Sequence, residues 1–204
     1  GLTNLNPNTS IPGESNRPSA GQRVQARGWL DDARRALDKA IALEPTNGTS
    51  YAARAGFIVV RVQMFDPILE PSSGAPGPNE RFPTATVADL QQAAKLLPED
   101  PYAIATAAMF RAINALNQLT VPPTDARSPM AALSDAERAA WNESISRLEA
   151  LARHSRREIA TAAWTALGAL RTMIEHSYSG AEEAIRRAID LNPKRELAWE
   201  LLAG

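Results

Sequence analysis

The formal net charge of −1 over 204 residues gives no strong field for nucleic acid or acidic membranes, so neither is expected as a partner. The chain has no cysteine, which excludes disulfides, thiolate metal sites and cysteine nucleophiles. No apolar run approaches the roughly 20 residues of a membrane-spanning helix. Aromatic residues are only 5% of the chain while alanine is abundant, a composition that favours closely packed helices over a sheet.

The N-terminal segment, residues 1–18, is a polar arm rich in Asn, Ser and Pro. By composition it is either a flexible tail or an extended arm that becomes ordered only by docking. Leu2, Leu5 and Ile11 are spaced by polar residues, so we expect them to make the contacts if the arm docks on its own body or on a neighbouring subunit. The arm and the start at Gly1 favour export, and localisation is otherwise open.

The body of the chain is predicted to be helical, beginning with two helices. Ser19 and Gln22 resemble a capping box that starts a short helix, and Gly28 is expected to break that helix. A second helix over 29–44 ends at Pro45, because proline cannot continue a helix.

The next helix and the loop after it are marked by turn residues. Asn47-Gly48 is expected to form a turn, and Thr49 or Ser50 to cap a helix running to about residue 65. Residues 66–83 are rich in proline and glycine, which predicts a long insertion loop without helix. Loops of this kind are either functional or disordered.

Helix starts in the rest of the chain carry polar caps. Thr86 and Asp89 are expected to cap a helix that ends at Leu97. Four serines are each followed three positions later by Glu or Gln and resemble capping boxes: Ser19, Ser134, Ser155 and Ser179. The remaining predicted segments are a helix over 102–119, a second loop over 120–133, helices over 134–153, 155–175 and 179–191, and a last helix from about 194.

One spacing recurs before three of the prolines. A small residue stands five and twelve positions before the proline, and a large residue stands eight positions before it. The three sets are Ala33, Leu37 and Ala40 before Pro45; Thr86, Leu90 and Ala93 before Pro98; and Ala181, Ile185 and Ala188 before Pro193. A larger residue follows six positions after each proline, at Tyr51, Ile104 and Trp199. A recurring helical unit is typical of a stacked array.

This pattern resembles the tetratricopeptide repeat, a unit of about 34 residues made of two antiparallel helices. Trp164, Leu167 and Gly168 match the first helix of the family, with one extra residue before the matching second helix. Trp199 and Leu202 match the start of a further first helix, and we expect them to form a C-terminal stacking face.

The resemblance implies an all-α fold. We expect an α-solenoid of about four antiparallel helix hairpins over 19–204, preceded by the extended arm over 1–18. The loop over 66–83 interrupts the repeat, and the helix pair over 102–119 and 134–153 lacks the closing proline. The array is therefore expected to be a divergent one.

In this family the first helix of each hairpin lines a concave groove. The resemblance places the groove at small, mostly apolar residues: Ala52, Gly56, Val59, Ala105, Met109, Ala112, Thr165, Ala169 and Thr172. The Lys, Arg and Asn side chains with which some members clamp a carboxylate are missing from these positions. An apolar groove suits an extended peptide or a packed helix, and the arm is a candidate occupant.

The function expected from this scaffold is protein–protein interaction, including self-association. Head-to-tail stacking would build a homo-oligomeric ring or filament, with the arm latched onto a neighbour. The alternatives are a monomeric peptide-binding adaptor and a repeat fragment of a larger protein.

Enzyme function is not expected, because no nucleophile elbow, metal-binding motif or phosphate-binding glycine loop occurs, and no cofactor or metal is implied. A basic cluster between two predicted helices could bind an acidic partner or phosphate, or could simply complement a helix terminus: Arg153, His154, Arg156 and Arg157. His154 and His176 are expected to be polar residues at helix ends. Glycosylation sequons begin at Asn8, Asn47 and Asn142, and their use depends on export.

Overall fold

The computed structural model describes residues 19–61, 84–117 and 129–203. The described α-helices are α1 (Ala20–Leu43), α2 (Gly48–Val60), α3 (Thr84–Leu96), α4 (Pro101–Asn117), α5 (Asp135–Leu151), α6 (Arg157–Leu170), α7 (Tyr178–Leu191) and α8 (Glu196–Ala203). The described residues contain no strand, which confirms the all-α prediction.

The predicted arm and loops are described only in small part. The arm over 1–18 and the loop over 66–83 lie outside the described residues. Of the loop predicted at 120–133, residues 120–128 also lie outside them, and the stretch Pro129–Ala132 forms a 3-10 turn before α5.

Each described helix packs against its neighbours in the chain, and some contacts skip one helix. α4 also packs on α6, and α6 on α8. The main hydrophobic core runs through this set of contacts, with Ile104, Leu148 and Leu167 almost fully buried. A smaller cluster around Ile185 joins α7 to α8, and Trp164 packs against both clusters.

The three proline turns share one set of backbone hydrogen bonds. In each turn the residue before the proline donates its N–H to the carbonyl of the alanine five positions before the proline: Glu44 to Ala40, Leu97 to Ala93, and Asn192 to Ala188. The second residue after the proline then donates back to the residue before it: Asn47 to Glu44, Asp100 to Leu97, and Arg195 to Asn192. The recurring sequence spacing thus corresponds to a recurring local structure.

Two of these turns share a side-chain contact as well. The Tyr51 hydroxyl donates to the Pro45 carbonyl at 3.2 Å, and the Trp199 Nε1 donates to the Pro193 carbonyl at 2.9 Å. Ile104 occupies the same position after Pro98 and has no donor. An aromatic residue with a side-chain donor six positions after the proline therefore adds a hydrogen bond to the turn.

The expected helix break at Gly28 is wrong. α1 is continuous from Ala20 to Leu43, and its Ser19–Gln22 capping box is present in both directions. A mid-helix glycine costs about 1 kcal/mol relative to alanine, which is too little to end a helix that is capped and has no proline nearby.

The predicted N-terminal caps of α2 and α3 are also wrong. Asn47, not Thr49 or Ser50, caps α2 by accepting from the Thr49 amide at 3.1 Å. Thr86 and Asp89 lie inside α3, which already begins at Thr84.

Of the three remaining serines predicted to cap a helix, one does so and two do not. Ser134 accepts from the Glu137 amide at 3.2 Å and caps α5. Ser155 and Ser179 are not N-caps, because α6 is preceded by Arg156 and α7 by Ser177. A serine can cap only where the backbone leaves the helix at that residue, and the motif alone does not fix that point.

A π-helical turn lies between the two segments that resemble the halves of a repeat. Arg171–Glu175 continues α6 with this wider turn, and His176 closes it in the left-handed conformation at φ 53°. A π-turn accommodates one additional residue within a helix. Gly168 and Ile185 can therefore face each other despite the insertion.

Candidate protein-interaction surfaces

Three of the predicted groove positions are buried. Ala105, Ala112 and Thr165 are within the core, and the Thr165 hydroxyl donates to the Thr161 carbonyl at 2.9 Å. They are out of reach of a partner, because α4 and α6 use these small residues to pack on their neighbours. Spacing alone cannot tell a groove position from a helix-packing position.

The other six predicted groove positions retain exposure. Gly56 is exposed, and nothing from another part of the chain lies within 4 Å of where a Cβ would stand, whereas Met109 and Val59 partly pack against the core. Ala52, Ala169 and Thr172 are half-buried, and Thr172 donates to the Gly168 carbonyl at 3.0 Å. The accessible part of the predicted groove is therefore mainly on α2.

The face of α1 with the repeat spacing is less covered than its equivalents. In α3 and α7 the small–large–small residues are buried, but in α1 the corresponding Ala33, Leu37 and Ala40 are only half-buried. No residue of α1 is buried, and Trp29 and Leu43 are 64% and 76% exposed. α1 packs chiefly on α2 and presents apolar surface to its surroundings.

The helix α8 also exposes apolar side chains. Leu202 is half-buried against the Ile185 cluster, whereas Trp199 is 49% exposed and Leu197 is also exposed. Of the residues predicted for assembly, Trp199 and Leu202 thus lie together on one short helix. Leu2, Leu5 and Ile11 lie outside the described residues.

Ion pairs join α1 to α2, and α2 to α3. Arg54 on α2 donates to both oxygens of Asp89 at 2.7 and 2.6 Å, and to Asp38 on α1 at 2.7 Å. Hydrogen bonding to Asp89 raises the pKa of Arg54 above its ordinary value; Asp38 adds to the rise, and burial opposes it. A second pair joins Arg61 to Asp31 at 3.0 Å.

The sequence interpretation missed this ion-pair cluster. Asp89 was expected to cap a helix, but its side chain is 7% exposed on the inner face of α3. The available signal was its position: it lies three residues after Thr86 and next to Leu90, on the apolar face of the helix. A carboxylate on such a face requires a cationic partner.

The basic cluster is divided between two cavities. Arg153 and His154 line a cavity of about 580 Å³ with Trp164 and Arg187, whereas Arg156 lines another of about 500 Å³ at the α3–α4 turn. Arg157 is exposed on α6. The four basic residues therefore do not form a single anion site.

Among the described residues, no three His, Asp or Glu side chains are grouped so that they could hold a metal ion. None of the described helices is both long and apolar enough to span a bilayer.

No family model, curated protein or solved structure matches this chain. The likeness to tetratricopeptide repeats therefore depends only on the residues of this chain that share the repeat spacing. The recurring proline turn is likewise observed within this chain.

Proposed function

We propose that this chain is a tetratricopeptide-like helical scaffold, without enzymatic activity, whose role is to hold other polypeptides, including further copies of itself. The equivalent proline turns support a repeated hairpin unit, because they place the same hydrogen bonds at the same sequence offsets. Stacking of hairpins buries apolar faces that a single hairpin would leave exposed.

The observation that carries self-association is the pair of apolar ends. α1 has no buried residue, and α8 exposes Trp199 and Leu197. Burying a large apolar side chain contributes roughly 1.5–3 kcal/mol, so joining these ends is favourable. Because the two ends differ, the contact is head-to-tail and produces a ring or an open filament.

The N-terminal arm is proposed as an additional latch. It carries Leu2, Leu5 and Ile11 among polar residues, a pattern suited to an extended segment lying in an apolar groove. A monomeric peptide-binding adaptor is the second candidate, and the accessible surface around Gly56 on α2 favours it.

Light scattering on the full chain and on a chain lacking residues 1–18 tests these proposals. Self-association predicts particles larger than one chain, and the latch predicts that the shortened chain forms smaller ones. A single-chain mass for the full protein would favour the adaptor. Equal assembly of both proteins would contradict the latch and leave end-to-end stacking in place.

A further inference from the structure

The helices of this chain alternate between two types in the repeat. α1, α3 and α7 carry the small–large–small residues before a proline and are second helices, whereas α8 begins like a first helix with Trp199 six positions after Pro193. α1 thus has the character of a second helix, and α8 that of a first helix.

The hairpin of α6 and α7 shows how a first helix meets a second helix here. A Cβ placed on Gly168 would lie 2.5 Å from Ile185 Cγ1 and 3.4 Å from the Ala181 carbonyl oxygen, so the two backbones approach closely. In the same hairpin the Arg187 guanidinium lies 4.9 Å from the centre of the Trp164 ring.

The residues that make these two contacts have counterparts at matching sequence offsets in α8 and α1. Trp199 and Ala203 repeat the four-residue spacing of Trp164 and Gly168. Leu37 stands eight positions before Pro45 as Ile185 does before Pro193, and Lys39 stands six positions before it as Arg187 does. Leu37 is only half-buried where Ile185 is buried, and Trp199 is exposed where Trp164 is half-buried, so these two positions lack the cover that their counterparts have. Lys39 is exposed, as Arg187 is.

We propose that α8 of one copy and α1 of the next form a composite hairpin of the type made by α6 and α7, with the two helices wider apart because Ala203 carries the Cβ that Gly168 lacks. Ala203 then packs against Leu37 of the next copy, and Lys39 of that copy lies over Trp199. This inference rests on the proposed self-association and specifies its contact. A cation over the face of a tryptophan ring is attracted to the ring, whereas an anion in the same place is not.

The absence of native cysteine permits a direct cross-linking test. Under mild oxidation, an equal mixture of Leu37→Cys and Ala203→Cys chains should form a disulfide-linked heterodimer. A mixture of Lys95→Cys and Ala203→Cys chains is the control, since Lys95 is exposed on α3. The first mixture should cross-link at least about tenfold faster, because the contact raises the local thiol concentration.

A second pair of positions guards against a folding defect in the Leu37 variant. Lys39→Cys and Trp199→Cys replace exposed side chains and should cross-link in the same way. Equal rates in both test mixtures and in the control would overturn the composite hairpin.

Charge reversal gives an independent readout. Lys39→Glu should raise the dissociation constant for self-association by about threefold to tenfold, since it removes the cation over Trp199, while Lys95→Glu should leave it unchanged. A protein that associates but responds equally to both changes would refute the composite hairpin and keep the proposed scaffold. A protein that remains monomeric would refute both.

Discussion

Gly168 is a residue at which α6 and α7 approach closely. The Cβ of an alanine there would lie 2.5 Å from Ile185 Cγ1, a distance that forces the helices apart or Ile185 out of place. Gly168→Ala should therefore destabilise the protein by about 1–3 kcal/mol, despite the higher helix propensity of alanine. The midpoint of urea unfolding measures the change.

Gly56→Ala is the matched control for this substitution. Gly56 also lies within a helix, but nothing is within 4 Å of the position of its Cβ. The same methyl group should there be neutral or stabilise by up to about 1 kcal/mol. Equal effects of the two substitutions would contradict the close approach at Gly168.

Arg54 is the second residue whose environment gives a clear expectation. Replacing it with methionine leaves the Asp89 carboxylate buried without its cation, and a broken buried pair costs about 3–5 kcal/mol. Arg186→Met is the control: Arg186 pairs with Glu182, and both side chains are more than half exposed. Chemical denaturation should show less than about 0.5 kcal/mol for the control, and a similar small loss for Arg54→Met would refute the buried pair.

At the scale of whole elements, prolines predict helix ends well. α1, α3 and α7 end at Leu43, Leu96 and Leu191, each two positions before a proline, because a proline excludes the residues before it from helix as well. Helix starts are less predictable, since a serine followed by glutamate is common and caps only if the backbone leaves the helix there.

Two serines with the same motif provide a test of this distinction. Ser134→Ala removes the acceptor of the Glu137 amide and should cost about 0.5–2 kcal/mol. Ser155→Ala, in the same sequence context of a serine three positions before glutamate, should be nearly neutral because Ser155 is not the N-cap of α6. Thermal unfolding of the two variants compares them, and a larger loss at Ser155 would contradict the observed caps.

Groove and packing positions show why the candidate site was harder to predict than the helices. Ala105 and Gly56 share the same sequence character, a small residue at a predicted groove position, yet one is buried and the other is exposed. The difference depends on whether another helix covers the position. That is a property of the tertiary arrangement, which local spacing does not contain.

The helix α1 should be less protected than α6 when the protein is dilute. It has no buried residue, whereas α6 contains many, including Leu167 and Leu170. Hydrogen exchange should therefore be faster across Ala20–Leu43 than across Arg157–Leu170, because local opening of α1 exposes little apolar surface. Equal protection of both helices at low concentration would contradict this expectation.

At the scale of the whole molecule, the proposed self-association depends on the apolar side chains that α1 and α8 expose. In the proposed array α1 is a second helix and α8 is a first helix, so these two helices present different surfaces. Their union removes from water the apolar side chains that a single copy leaves exposed, among them Trp199 and Leu37. Protection of α1 should accordingly increase as the protein is concentrated.

Sedimentation equilibrium of the full chain over a wide range of concentrations is the most direct test. Head-to-tail association predicts a weight-average mass that rises steadily above that of one chain, or that levels off at a fixed multiple if a ring closes. A mass that stays at one chain throughout the micromolar range would contradict the central claim.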